Sequence, residues 1–368
     1  MNNNFPPLAP GSTIGILGGG QLGRMLALAA ARLGMHSHIF CPDPLSPAFD
    51  VTALKTIAEY DDFVALEKFA AALDVVTYEF ENVPAQTAQF IASHTILAPG
   101  ARALSIAQDR LAEKQFLHHN QIAIAPFAPV LNDGDFVAAL EKIGTPSVLK
   151  TTRLGYDGKG QRMIKSPGEA QMAFAALSGQ QLVLEAFIPF EMEISVIVAR
   201  NMSGDIKTYD PAQNVHVHHI LHTSSVPAAL DEPTLDAARS IAVTIVEALD
   251  YAGVLAVEFF VVNDNGTRTL LVNEIAPRVH NSGHWSQSVC LVDQFEQHIR
   301  AICNWPLAST KRMGDVIMTN LIGDQINALP ATLKTNQQPH IYGKREIRPG
   351  RKMGHINTII RPEDEKQC

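Results

Sequence analysis

The sequence predicts an α/β protein, α+β in overall character, with a Rossmann-like N-terminal domain, a small separate lobe and a larger β-rich lobe. Three observations point there. Strand and helix signals alternate through the first hundred residues, as in a parallel α/β unit. A proline-containing connector, IAPFAPV, then introduces a second helix–strand–glycine loop–helix–strand pattern. Finally, long strands rich in Val, Ile and Phe fill the remainder. The chain has 368 residues, 46% of them hydrophobic, enough for two or three domains with sizeable cores.

In chain order, strands are expected near 12–17, 36–40 and 74–80, and helices near 21–33, 61–73 and 84–93. A single helical pattern follows over 101–119. From Phe136 to Leu184 the small lobe reads as a helix, the strand SVLKT, a glycine loop, another helix and the strand QLVLEAF. The segments EISVIVA, GVLAVEFFVV and TRTLLVNEIA are strands of the large lobe, with a helix near 234–249 between the first two. After Met313, DVIMTNLIG and HINTIIR are strands around a basic loop.

Charge and cysteine usage narrow the functions. A formal charge of −8 and an isoelectric point near 5.9 argue against broad electrostatic binding to nucleic acid or an acidic membrane. Cys41, Cys290, Cys303 and Cys368 form no C-x-x-C pair, which predicts free thiols in a reducing compartment. The opening MNNNFPPLAPG lacks a basic and apolar leader pattern, and no apolar run approaches the roughly 18 residues that span a bilayer. A cytoplasmic protein acting on small molecules is therefore expected.

Several stretches carry chemistry. GILGGGQLGRM places Gly18, Gly20 and Gly23 at G-x-G-x-x-G spacing between a strand and a helix, and Asp43 falls where a ribose-binding carboxylate would sit. Taken alone, the turn admits either a dinucleotide site, hence an NAD-dependent oxidoreductase, or tight packing of a helix on its strand. In the small lobe, SVLKT delivers Lys150 to TTRLGYDGKGQ, where Gly155, Gly158 and Gly160 leave N–H groups available to phosphate oxygens beside Lys159. On the hairpin closed by DNG, Glu258 lies on one strand and Asn273 with Glu274 on the next. A three-residue loop at Asp264–Gly266 would set Asn263 opposite Thr267 and Ala256 opposite Glu274, with Glu258 diagonal to Glu274. Oxygen ligands beside a phosphate loop imply Mg²⁺ rather than zinc, and the scattered His216, His218 and His222 do not alter that expectation.

A lysine, a glycine loop and hairpin carboxylates in this order resemble the ATP-grasp ligases. YEFENVP (Tyr78–Pro84), GYDGKGQ (Gly155–Gln161), NEIAPRVHNSGHW (Asn273–Trp285) and GRKMGHIN (Gly350–Asn357), with the opening GGGQLGRM, are similar to the N5-carboxyaminoimidazole ribonucleotide synthetase family of purine biosynthesis. Leu154 departs from the glycine expected in many relatives. The resemblance implies an ATP-grasp fold divided into a pre-ATP-grasp domain (1–106), an ATP-grasp domain (107–305, lid lobe about 126–184) and a β-rich segment (306–368) completing the substrate site.

The same resemblance implies residue roles. ATP would be held by Arg110, Lys150, Gly155, Tyr156, Asp157, Gly158, Lys159, Gly160, Gln161, Glu185, Ala186, Phe187, Ile188, Glu193, His216, Asn273 and Glu274, with Mg²⁺ on Glu258 and Glu274. Gly20, Gln21, Leu22, Glu79, Asn82, Asn281, Ser282, Lys344, Arg351 and Lys352 would face the ribonucleotide. Arg278, His280, Lys352, Tyr156 and Asp157 would serve the chemistry, and either His280 or the departing phosphate would accept the amine proton. Bicarbonate is the third substrate and a homodimer is implied; formate-using glycinamide ribonucleotide transformylases and biotin carboxylases share the ATP machinery but differ in acceptor residues.

Overall fold

The computed structural model describes residues 5–153, 155 and 159–360. The described residues form three sheets. The first contains β1 (Thr13–Leu17), β2 (His36–Phe40), β3 (Leu54–Thr56) and β4 (Val75–Tyr78), all parallel in the order β3-β2-β1-β4. α1 (Gln21–Arg32) links β1 to β2, α2 (Phe63–Ala70) links β3 to β4 and α3 (Ala85–His94) follows β4; β1 and β4, covered on both faces, bury every residue beyond Thr13.

The helical pattern at 101–119 is two helices, α4 (Ala101–Ala107) and α5 (Arg110–His119). Asp109 divides them: its backbone is extended and its carboxylate accepts from Leu111 and Ala112 N–H, starting a new helix. Arg110 thus occupies the first turn of α5, with its own N–H donated to Thr152 O at 2.8 Å.

The small lobe comprises β5 (Phe127–Val130), α6 (Asp133–Ile143), β6 (Ser147–Thr151), β7 (Gln161–Ile164), α7 (Ala170–Ala175) and β8 (Leu182–Ala186). Its antiparallel order is β5-β8-β6-β7. The connector FAPV is therefore a strand, and Pro129 is tolerated because β5 lies at the edge. Phe136, Leu149, Ile164 and Leu184 give this lobe a core of its own.

The large sheet gathers β9 (Met192–Arg200), β10 (Ile206–Thr208), β11 (Ala212–Val217), β12 (Ile220–Val226), β13 (Gly253–Asp264), β14 (Thr267–Ala276), β15 (Asp315–Ile322), β16 (Gln337–Ile341) and β17 (Lys352–Ile360). α8 (Glu232–Ala248), α9 (Ser286–Val289), α10 (Gln294–Ile302) and α11 (Leu329–Thr332) accompany it. The order is β14-β13-β9-β11-β12-β15-β17-β16, with β10 on β9. Pairing of Thr223 with Thr319 joins the C-terminal strands to the central ones, so the last segment extends the same sheet. β11, β12 and β16 had no distinct sequence signal.

The acidic hairpin differs from the expected register. Its turn is the two-residue Asn265–Gly266, both at positive φ (50° and 89°), with Asp264 opposite Thr267 and Asn263 opposite Arg268. A bulge then inserts Asn273: Phe259 faces Val272, but Glu258 faces Glu274 and Ala256 faces Ala276. The two carboxylates are thus directly opposite rather than diagonal.

The N-terminal sheet is fastened to the large sheet by His298 of α10, which is fully buried. Its Nε2 meets Thr77 Oγ1 of β4 at 2.8 Å, and its Nδ1 accepts from Val254 N–H of β13 at 3.0 Å.

Candidate active site

A cleft of about 960 Å³ opens between the small lobe and the large sheet. Lys150 projects from β6 and donates to Glu185 Oε2 at 3.0 Å; Lys114, one turn after Arg110 on α5, donates to the same oxygen at 3.1 Å. Burial alone would raise the Glu185 carboxyl, but the two ammonium groups hold it ionised, down to about 2. Its other oxygen, Oε1, is buried without a partner among the described residues. Arg110 Nη2 donates to Gly155 O at 2.9 Å, and Arg110 Nη1 lies 3.5 Å from Glu274 Oε2. Arg110 therefore touches both the phosphate loop and the acidic hairpin.

In that loop, Thr151 N–H donates to Gly160 O, and Gly160, at φ +68°, lies so close that a Cβ would meet Thr151 Oγ1 at 2.5 Å. Lys159 and Gln161 line the cleft. Tyr156, Asp157 and Gly158, and Leu154 beside them, lie outside the described residues. At the opposite edge are Glu185, Ala186, Phe187 and Ile188, while Glu193 Oε2 is 2.8 Å from His216 Nδ1. Burial disfavours a charged His216, yet the Glu193 contact outweighs it and raises its pKa.

Glu258 and Glu274 face each other where β13 and β14 pair. Burial and the Glu274 charge push Glu258 up to about 8. Behind them, Glu113 accepts from Ile275 N–H at 3.3 Å and, being buried beside Glu274, is likewise pushed up to about 8. Opposed carboxylates are unfavourable unless a cation lies between them. Two carboxylates with the Asn273 amide alongside suit a hard, oxygen-liking divalent ion that fills its remaining positions with phosphate oxygens and water.

The acceptor side follows β14. Arg278 Nε donates to Glu81 Oε2 at 2.5 Å. His280 is clamped at its backbone by Gln294, whose Oε1 accepts from His280 N–H at 2.9 Å and whose Nε2 donates to His280 O at 2.7 Å. The imidazole Nδ1 lies 2.9 Å from Ser282 Oγ and 3.3 Å from Ser282 N; Nε2 lies 3.6 Å from Glu258 Oε1. Burial first, then Arg278, Lys352 and His216, hold the His280 pKa well below the ordinary imidazole value. Asn281 exchanges amide hydrogen bonds with Asn320.

The cleft lining includes Asn82, Arg278, His280, Asn281 and Lys352 but not all the residues expected beside a ribonucleotide. Ser282 is fully buried behind His280, donated to by Ser195 Oγ at 2.7 Å, so its hydroxyl does not line the cleft. Leu22 points into the core, leaving only its backbone on the turn. Lys344 donates to Lys352 O at 2.7 Å, and Arg351 to Glu346 O at 2.9 Å.

The first glycine turn, which the resemblance places beside the ribonucleotide, does not fit the dinucleotide site that its spacing alone also admitted. Glu79, from the end of β4, inserts its carboxylate at the N-terminus of α1 and accepts from Gly20 N–H at 2.8 Å and Gly23 N–H at 3.2 Å. A pyrophosphate would need those same donors. Cβ atoms on Gly18 and Gly20 would meet Glu79 at 2.4 and 2.7 Å. Asp43, in turn, is exposed, and its carboxylate accepts from Leu45 N–H two residues on.

Sequence reasoning did not single out Lys114, Glu113, Glu81, Ser195, Gln294 or Asn320. Lys114 had a readable signal, since it lies four residues after Arg110 on one helix face. The others meet the site only through distant chain segments.

A nucleotide cleft between a small antiparallel lobe and a large sheet is the arrangement of the ATP-grasp class, and the ATP-grasp domain family matches residues 115–295. The ribonucleotide synthetase preATP-grasp domain matches 12–108, and the phosphoribosylaminoimidazole carboxylase C-terminal domain matches 316–367. The N5-carboxyaminoimidazole ribonucleotide synthase of Brucella melitensis is 51% identical over 96% of this chain and 97% of its own length. That of Bacillus subtilis is 41% identical over 97% and 93%. An N5-carboxyaminoimidazole ribonucleotide synthetase solved as an ADP complex superposes with a TM-score of 0.93 at 40% identity, covering 98% of this chain and 97% of that one. The Aspergillus clavatus enzyme, solved with ADP and 5-aminoimidazole ribonucleotide, gives 0.89 at 30% identity, covering 97% and 96%. This chain belongs to the N5-carboxyaminoimidazole ribonucleotide synthase family.

Proposed function

We propose that this chain carboxylates 5-aminoimidazole ribonucleotide with bicarbonate, consuming ATP and forming N5-carboxyaminoimidazole ribonucleotide, ADP and phosphate in purine biosynthesis. The observation that carries the reading is that Lys150, Arg110 and the loop residues Gly155, Lys159 and Gln161 line one cleft with the opposed Glu258–Glu274 pair. A cytoplasmic homodimer belongs to the same reading and rests on the family resemblance.

Glu258 and Glu274 would hold Mg²⁺, with Asn273 beside them, and that ion would supply positive charge to the phosphates. Lys150, Arg110, Lys159 and the loop amides bind and orient the triphosphate. Glu185 Oε1 offers its unused lone pairs to a donor such as the adenine amino group, with Ala186 to Ile188 along the same edge, and Glu193 with His216 takes the ribose hydroxyls. A bicarbonate oxygen attacks the γ-phosphorus as the bond to ADP breaks, giving carboxyphosphate, while the preorganised cations stabilise the developing charge. Arg278, with its planar donor fork, and Lys352 steady that acyl phosphate. The ribonucleotide amine then captures this acyl phosphate, or CO₂ released from it, in a site kept from water, with phosphate leaving.

Phosphate release by the purified protein should require ATP, 5-aminoimidazole ribonucleotide and bicarbonate together. Release that ignored the ribonucleotide, or that required formate or biotin instead, would overturn the assignment.

A further inference from the structure

The site contains a hydrogen-bond chain that decides which way the His280 ring carries its proton. Ser282 N–H can only donate, and it points at His280 Nδ1 from 3.3 Å. Ser195 Oγ donates to Ser282 Oγ at 2.7 Å, which leaves the Ser282 hydroxyl proton for Nδ1 at 2.9 Å. Two donors therefore converge on Nδ1, and it must present a lone pair. Flipping the ring would turn Cδ2 toward both donors, and the Gln294 clamp on both backbone groups of His280 prevents the residue from rotating away. Ser195, Ser282 and Gln294 are all fully buried, so water does not replace these bonds. With Nδ1 occupied as an acceptor, the ring hydrogen resides on Nε2, the nitrogen that faces the cleft beside Glu258.

We propose that Ser195, Ser282 and Gln294 are positioning residues that hold His280 as its Nε2–H tautomer, so that His280 enters the reaction as a hydrogen-bond donor to anionic oxygen and not as the base that deprotonates the acceptor amine. The inference rests on the carboxylation reading above and deepens it. The amine proton then goes to an acceptor other than the His280 ring, and the phosphate released when carboxyphosphate breaks down can take it, which balances the step. The neutral, donating histidine is a known catalytic device elsewhere, where it polarises oxygen instead of collecting a proton.

Two measurements test it. In ¹⁵N-histidine-labelled full-length protein, two-bond ¹H–¹⁵N spectra should show the His280 signals, identified by their loss in His280→Gln, as a protonated Nε2 and an unprotonated Nδ1. Ser195→Ala should weaken that preference toward a mixture, and Ser195→Thr, which keeps the hydroxyl, should restore it. A protonated Nδ1 in the unsubstituted protein would overturn the proposal. In the second measurement, His280→Gln places an amide N–H near Nε2, whereas the shorter His280→Asn reaches only the Nδ1 region. The donor role predicts that Gln retains turnover within about tenfold while Asn loses on the order of 10²-fold or more. Equal, severe losses in both would identify a base and overturn it. Ser195→Ala should lower kcat while leaving the KM for ATP unchanged; a rise in KM for ATP with kcat unchanged would contradict positioning through His280. If the unsubstituted protein showed no turnover with ribonucleotide and bicarbonate, the function above would fail, and the NMR measurement alone would still decide the tautomer.

Discussion

Two glycine-bearing turns in this chain follow strands and carry anion-binding sequence patterns, yet one meets an internal anion and the other lines an open cleft. At Gly18–Gly23 the N–H groups at the start of α1 are taken by Glu79, a carboxylate from the neighbouring strand. At the second turn Gly155, Lys159 and Gln161 line the cleft with Lys150 and Arg110, and the acids that share that cleft belong to another strand pair. The glycine pattern specifies a place where backbone donors are accessible and a helix dipole favours negative charge. It does not specify whether the anion is a ligand or the protein's own side chain. In the first turn, Glu79 occupies the backbone donors that a dinucleotide pyrophosphate would need.

The largest test of this contrast is at the open cleft. Glu274→Gln removes one of the opposed charges and should reduce ribonucleotide-dependent phosphate release by about 10³-fold, roughly 4 kcal/mol in the barrier, with the fold retained by circular dichroism. Near-normal turnover at limiting Mg²⁺ would separate Glu274 from the metal and leave the cleft without its distinguishing feature.

Next in size is the joint between the two regions. Burial alone holds His298 down to about 3, against 6.5 for a free imidazole. The folded chain therefore keeps it neutral while the unfolded chain takes up a proton as pH falls below 6.5. Its contribution is intact above that value and is lost progressively toward pH 3, at up to about 1.4 kcal/mol per pH unit. Urea unfolding should show about 2 kcal/mol of this loss between pH 6.5 and 5, and the His298→Gln protein should lack that increment of slope. Identical slopes would mean that the joint does not sense pH through His298.

The smallest effect belongs to the closed turn. Glu79→Gln replaces one acceptor oxygen by an amide donor, so that one of the Gly20 and Gly23 N–H groups faces another donor. A loss of about 1–2 kcal/mol in urea unfolding is expected, with no NADH binding in either protein. Stoichiometric NADH binding to the unsubstituted chain would break the contrast outright.

Much of the site was legible because its signals are local. Lys150 sits at the end of an apolar strand before a glycine loop, and Glu258 and Glu274 interrupt two strands joined by a recognisable turn. The register of that hairpin was not legible. One inserted residue, Asn273, shifts the pairing by one and brings the two carboxylates face to face; alternation alone cannot reveal a bulge. Nor was the break at Asp109, where a single capping carboxylate ended one helix and aimed Arg110 and Lys114 at the cleft. Pro129 shows the opposite bias: its turn-like composition concealed an edge strand.

By itself the sequence determined the alternation that builds the parallel N-terminal sheet, the phosphate-loop lysine, the acidic hairpin and the family to which these belong. Each depends on residues within a few positions of one another, where periodicity and spacing carry the information. Only the tertiary structure decided that Glu79 fills the first turn, that two lysines share Glu185, and that Ser195, Ser282 and Gln294 orient His280. Glu79 is 59 residues from Gly20, and Ser195 is 87 from Ser282. Hydrogen bonds at such separations exist only once the sheets have assembled, and burial then makes each of them costly to leave unmade.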